Sequence, residues 1–222
     1  MIQAVIFNLD GILAPTHICH YKAWEYMAEE QGIPFDSAVY RQMAGMKRME
    51  SLRLLLKRAK RSYSSGEMWA LSARKNDLFN EFLSRLGPDA AIPGAVETVT
   101  LLREMGIRTA VASSSENTVG ILRKLKIEPL FDAVIDGSQI TSGKPDPEVF
   151  VLAARKLCMP TGDCLVVENT QAGIAAAQAA GMMVVVLDEV EAAEKGCPMR
   201  YQSLTDLRLP DLLKADHGGE AQ

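Results

Sequence analysis

Short β-branched runs alternate along this chain with longer stretches of helical periodicity. Runs at residues 2–7, 107–112, 133–135, 164–167 and 183–187 predict strands. Three of them are continuous in the way expected of strands buried on both faces of a parallel sheet. Between them, apolar positions at 95–105, 118–125, 147–157 and 172–180 predict helices. Gly106 and Gly181 follow the first and last of these, at positions suited to helix C-caps. The alternation predicts a doubly wound, Rossmann-like α/β core with a parallel sheet.

The first crossover breaks the rhythm. Roughly eighty residues separate the first strand from the helix that begins at Ala95, where a crossover helix needs about ten to fifteen. Residues 17–87 hold no convincing strand pattern but do hold helical stretches, notably 17–31 and 67–86. This predicts an inserted all-helical cap domain, entered near Ala14-Pro15 and left near Gly87-Pro88. The core then comprises residues 1–14 and 88–222, and the cap residues 15–87. Trp24 and Trp69 read as packing inside the cap. The polar end, 215–222, reads as a frayed terminus.

Composition narrows the class. Hydrophobic residues are 48% and charged residues 23%, as in an ordinary soluble globular protein. A net charge of −4 argues against a general nucleic-acid or anionic-membrane surface. Residues 173–187 are apolar but short, and Gln178 and Gly181 interrupt them, so they predict a small-residue helix and a strand, not a membrane span. The chain opens on a strand pattern with no basic leader, which predicts a cytoplasmic protein. Cys19, Cys158, Cys164 and Cys197 form no C-x-x-C pair and read as reduced thiols.

Four polar motifs fall at the carboxyl ends of the predicted strands, where open α/β sheets bind ligands. Asn8-Leu9-Asp10-Gly11 ends the first strand and Ser113-Ser114-Ser115 the second. Lys144-Pro145 follows the third through a loop, and Glu168-Asn169-Thr170 ends the fourth. Each has a plain reading by itself: a turn aspartate, a serine N-cap, a solvated loop lysine. Their order and spacing together carry more weight.

The segment Val5-Ile6-Phe7-Asn8-Leu9-Asp10-Gly11, with the three later motifs, closely resembles the haloacid dehalogenase superfamily of phosphotransferases. The cap segments His20-Tyr21-Lys22-Ala23-Trp24, Gly45-Met46-Lys47-Arg48 and Ala73-Arg74-Lys75-Asn76-Asp77 narrow the resemblance to its β-phosphoglucomutase-like group. The likeness spans nearly the whole chain, to about Leu187. It implies phosphoryl transfer on a small phosphorylated sugar, with Mg²⁺ as cofactor, by a monomer. The position of Asn8 would carry the nucleophile and Asp10 the general acid and base. Ser113 and Lys144 would hold the reacting phosphoryl oxygens. Metal ligands would come from Asn8, Asp10, Glu168 and Asn169. Substrate would be gripped by Thr16, His20, Lys75 and Ser114, and a distal phosphate by Arg48, Ser115 and Asn117.

Several residues depart from that pattern. Asn8 stands where the nucleophilic aspartate is implied, and an amide is a poor nucleophile and a weaker Mg²⁺ ligand than a carboxylate. With Asn169 also neutral, one carboxylate remains of the three implied at positions 8, 168 and 169, so a weakened metal site is expected. Glu116 stands near the distal phosphate, which an acid repels unless it points away. Pro15 would stiffen the first cap hinge. Asn8 fits an introduced substrate trap, slow deamidation to an active carboxylate, or natural divergence; Pro15, Glu116 and Asn169 favour divergence. Two readings follow: a sugar-phosphate mutase or phosphatase of impaired activity, or a silent protein that binds a phosphorylated ligand.

Overall fold

The structure is a computed structural model that describes residues 1–187 and 199–214. Cys197 and the tail 215–222, discussed above from sequence, lie outside the described residues. Strand β1 (Ala4–Phe7) sits at the centre of a six-stranded sheet with β2 (Arg108–Ala112), β3 (Ala133–Ile135), β4 (Cys164–Glu168), β5 (Met183–Leu187) and β6 (Arg200–Tyr201). The order is β3-β2-β1-β4-β5-β6, and every pairing is parallel. The register sets Ala4 against both Arg108 and Cys164.

Successive β1 side chains serve opposite faces. Val5 and Phe7 join one apolar cluster, with Leu102, Ile121 and Leu125. Ala4 and Ile6 join the other, with Val149, Phe150 and Ile174. The strand is therefore buried on both sides, which explains its unbroken apolar run. The flanking helices are α5 (Ala95–Glu104), α6 (Thr118–Lys124), α7 (Glu148–Lys156), α8 (Gln171–Ala179) and α9 (Leu209–Lys214). Predicted boundaries hold to within about two residues, the ordinary disagreement at fraying ends. Gly106 and Gly181 do take the left-handed conformation, with φ of 77° and 70°.

Between β1 and α5 lie α1 (Thr16–Glu30), α2 (Ser37–Met43), α3 (Arg48–Leu56) and α4 (Ser65–Ser84), and no residue from 15 to 87 belongs to a sheet strand. Helix α4 starts where it does because Ser64 and Glu67 form a capping box: Ser64 N–H donates to the Glu67 carboxylate at 2.8 Å, and Glu67 N–H to Ser64 Oγ at 3.3 Å. Helices α1 and α4 pack through Trp24, Met27, Leu78 and Phe79. Trp69 is a correction to the sequence reading: it is 69% exposed, because its position on α4 faces away from α1. Among the described residues no helix is long and apolar enough to cross a membrane.

Candidate active site

The site forms where β1 and β4 lie side by side and the sheet order turns back on itself, the place where such sheets leave a crevice. Asn8 N–H extends the ladder to Val167 O at 3.0 Å, which sets residue 8 beside Glu168. The chain then closes a tight loop in which Leu9 O accepts from Ile12, Leu13 and Ala14 N–H. Gly11 sits in this loop at φ 78°, and a Cβ there would run into the Asn169 side chain. The loop aims Asp10 at α1, where its Oδ1 accepts from Thr16 Oγ1 at 2.5 Å and faces His20 Nε2 at 3.5 Å.

Lys144 is no solvated loop lysine: it is 1% exposed and crosses beneath the loop to Glu168, itself fully buried. Its ammonium donates to Glu168 Oε1 at 2.6 Å, Asn8 Oδ1 at 3.1 Å and Ala112 O at 3.3 Å. The other Glu168 oxygen accepts from Asn169 N–H at 2.6 Å, Thr170 N–H at 2.7 Å and Thr170 Oγ1 at 3.1 Å. Gly173, in the first turn of α8, makes room for that carboxylate, since a Cβ there would overlap it. Asn8 Nδ2 donates onward to Asn169 Oδ1 at 3.2 Å and more weakly to Asp10 O at 3.4 Å. Asn169 Nδ2 in turn donates to Asp10 O at 3.1 Å.

The result is a one-way chain of hydrogen bonds from Lys144 through Asn8 and Asn169 to the Asp10 carbonyl. These residues do not fit a divalent cation as they stand. Two amide N–H groups converge on the Asp10 carbonyl, and both Glu168 oxygens are already engaged. Among the described residues no group of three or more His, Cys, Asp or Glu is arranged to hold a metal.

A cleft of about 1350 Å³ opens above the chain. Its floor carries Ser113, Ser114 and Ser115, whose oxygens accept from Ser115 N–H (3.1 Å), Lys144 N–H (3.4 Å) and Asn117 N–H (3.3 Å). Each hydroxyl proton is left for a ligand oxygen. The serines are thus not the cap of α6, which begins at Thr118 with Asn117 before it. On the roof, His20 Nδ1 lies 2.7 Å from Lys75 Nζ and its ring stacks on Phe79 at 4.2 Å. Arg48, in α3, forms an ion pair with Glu116 of the core.

Burial and neighbouring groups together shift the titration of three of these side chains. It pushes the Asp10 carboxyl up, but His20, Thr16 and Lys144 outweigh it and hold Asp10 down at about 2. Burial and the neighbouring Lys75 lower His20, against the pull of Asp10. Burial, then Arg48, lowers Lys75 to about 7.

With this geometry in view, likeness to known proteins decides the family. A profile of the haloacid dehalogenase-like hydrolase family matches residues 2–181. The chain is 38% identical over 185 residues to the β-phosphoglucomutase of Bacillus subtilis, covering 82% of each. This chain belongs to the haloacid dehalogenase-like hydrolases. It is 29% identical to the phosphorylated carbohydrates phosphatase of Thermotoga maritima, covering 81% of this chain and 82% of that protein. A crystal structure of β-phosphoglucomutase from Clostridium difficile superposes with a TM-score of 0.89 at 29% identity, covering 96% of both chains. The chain therefore stands in the β-phosphoglucomutase-like group of this family.

Each predicted residue of this haloacid dehalogenase-like site lines the cleft or touches a residue that does. Asn8, Asp10, His20, Arg48, Lys75, Ser113, Ser114, Ser115, Asn117, Lys144 and Asn169 line it; Thr16 and Glu168 stand behind, on Asp10 and Lys144. Sequence reasoning missed His17, which lines the cleft with Nδ1 buried and unpartnered among the described residues. Its position three residues before His20 on α1 was the available signal. It also missed Asn76, whose Oδ1 accepts from Asn117 Nδ2 at 3.0 Å across the cleft.

Proposed function

We propose that this chain binds a small phosphorylated sugar in the cleft and does not transfer its phosphoryl group to residue 8. Its ancestry is that of a sugar-phosphate mutase or phosphatase. The observation that carries the reading is the commitment of the Asn8 amide: Oδ1 accepts from Lys144 and Nδ2 donates to Asn169. An amide oxygen already tied to an ammonium is a poor nucleophile, and no aspartyl phosphate can form from it.

The remaining site suits holding a phosphate. Ser113, Ser114 and Ser115 offer hydroxyl protons, and a ligand oxygen can take over one N–H of Lys144. Asp10, held as a carboxylate, fits a base and not a proton donor in the resting state. Residues 15–87 serve as the cap. Its Lys47 Nζ reaches Ile140 O at 2.6 Å, and its Glu50 accepts from Gly143 N–H at 3.3 Å. These contacts seat α3 over the cleft, where it can exclude water from the ligand.

Arg48 is the cap's distal phosphate grip, but Glu116 already neutralises it. That favours a monophosphate over a bisphosphate. Mg²⁺ is the cofactor the family implies, yet the amides at positions 8 and 169 do not fit it, so no step of this reading runs through the metal.

Incubation with acetyl phosphate and intact-mass analysis test the proposal. Freshly purified protein should show no stable adduct of about 80 Da, the mass of one phosphoryl group carried as an acyl phosphate. A stoichiometric adduct mapped to residue 8 without deamidation would end it.

A further inference from the structure

We propose that this cleft takes a phosphate ester without a divalent cation, with the directed amide chain of Asn8 and Asn169 standing where the cation would sit. The inference rests on the reading of the cleft as a phosphate site and specifies what that site requires.

Direction is the first argument. The orientation of a side-chain amide follows from its partners. The Lys144 ammonium can only donate, so the atom of Asn8 that faces it at 3.1 Å must be the oxygen. The Asn8 NH₂ must then face Asn169 and Asp10, and the 3.2 Å contact requires the Asn169 oxygen to receive it. The Asn169 NH₂ is left for the Asp10 carbonyl at 3.1 Å. A cation needs oxygen lone pairs from these same groups. Turning the Asn8 oxygen towards a cation would set its NH₂ against the Lys144 ammonium, donor against donor, in a buried site. The Asp10 carbonyl accepts from the Asn169 amide at 3.1 Å and more weakly from the Asn8 amide at 3.4 Å. Glu168 Oε2 already takes three donors, and its Oε1 takes the Lys144 ammonium.

Charge is the second argument. Aspartates at positions 8 and 169 would add two negative charges, and a divalent cation would cancel them. The two asparagines reach the same net charge with neither. An incoming phosphate therefore meets an inner site of the same net charge as the carboxylate-and-cation version. Only the source of that balance has changed, from an exchangeable ion to fixed amide dipoles. The amides are also packed: Asn8 is 4% exposed, and Gly11 leaves the space that Asn169 fills.

The test is calorimetric titration of the full chain with inorganic phosphate after removal of metals, with and without added Mg²⁺. The wild type should bind equally well in both, within about twofold. An Asn8→Asp/Asn169→Asp variant should bind at least about tenfold more tightly when Mg²⁺ is present. A thermal melt checks that the variant is folded, and Asn169→Asp alone serves if the pair is not. Wild-type binding that tightens about tenfold with Mg²⁺ would overturn the inference and leave the phosphate site standing. A folded variant indifferent to Mg²⁺ would also overturn it, since the amides would not then be what removes the need for a cation. Absence of phosphate binding in every arm would remove the phosphate site and the inference together.

Discussion

Lys144 decides which way the amide of Asn8 points, and that single orientation fixes the chemistry of the residues around it. Two other pairs work at the same scale. Arg48 meets Glu116, so the pair presents little net charge to a ligand. Glu116→Gln should free the guanidinium. Affinity for a hexose bisphosphate should then rise by about 1–3 kcal/mol relative to the monophosphate, the scale of one charge-assisted hydrogen bond. Parallel titrations with both ligands measure this, and an unchanged ratio would show that Glu116 does not hold Arg48 back. Lys75 makes the second pair, with His20. Its folded value near 7 lies below its ordinary 10.5. The folded state thus binds fewer protons than the unfolded state between about pH 7 and pH 10.5, and stability rises with pH across that window. Below pH 7 both states carry the charge and the burial penalty is full. Lys75→Met should therefore stabilise most below pH 7, by at most about 5 kcal/mol, with the gain fading towards pH 10.5. Melting temperatures of both chains across that range check the sign. Asn8, Asp10 and Ser113 were legible in the sequence because each belongs to a short motif at a strand end, and Lys144 because it belongs to a short motif in the loop after β3. The Arg48–Glu116 pair and the direction of the amides were not: their partners lie 68 and 136 residues apart, and only the fold brings them together.

Among the elements, the apolar runs of β1, β4 and β5 were readable because these strands are buried on both faces. Two-residue β6 and seven-residue α2 were not among the elements read from the sequence. The two tryptophans show what periodicity leaves out. Both lie in the amphipathic helices α1 and α4, yet Trp24 is buried where α1 meets α4, and Trp69 is solvent-exposed near the start of α4. Trp24→Ala should cost about 3–5 kcal/mol, the range for removing a large buried aromatic side chain. Trp69→Ala should cost less than about 0.5 kcal/mol. Chemical denaturation of the two variants measures both, and comparable losses would mean that the α1–α4 interface is misread.

At the scale of the whole molecule, a parallel sheet sets Asn8 and Glu168 side by side, and four helices roof the cleft above them. On the reading proposed above, this is the machinery of a sugar-phosphate mutase or phosphatase with an amide where the reactive carboxylate would stand. Asp10, Ser113, Lys144 and Glu168 remain in place to serve one. The most direct measurement of that account is phosphate release from β-glucose 1-phosphate and a panel of sugar monophosphates, by freshly purified wild type and by Asn8→Asp, with Mg²⁺ supplied. The account predicts no turnover above background for the wild type and at least about a hundredfold gain for Asn8→Asp, the scale on which a positioned catalytic group acts. Wild-type turnover equal to that of Asn8→Asp, with residue 8 shown by mass to be undeamidated, would contradict it.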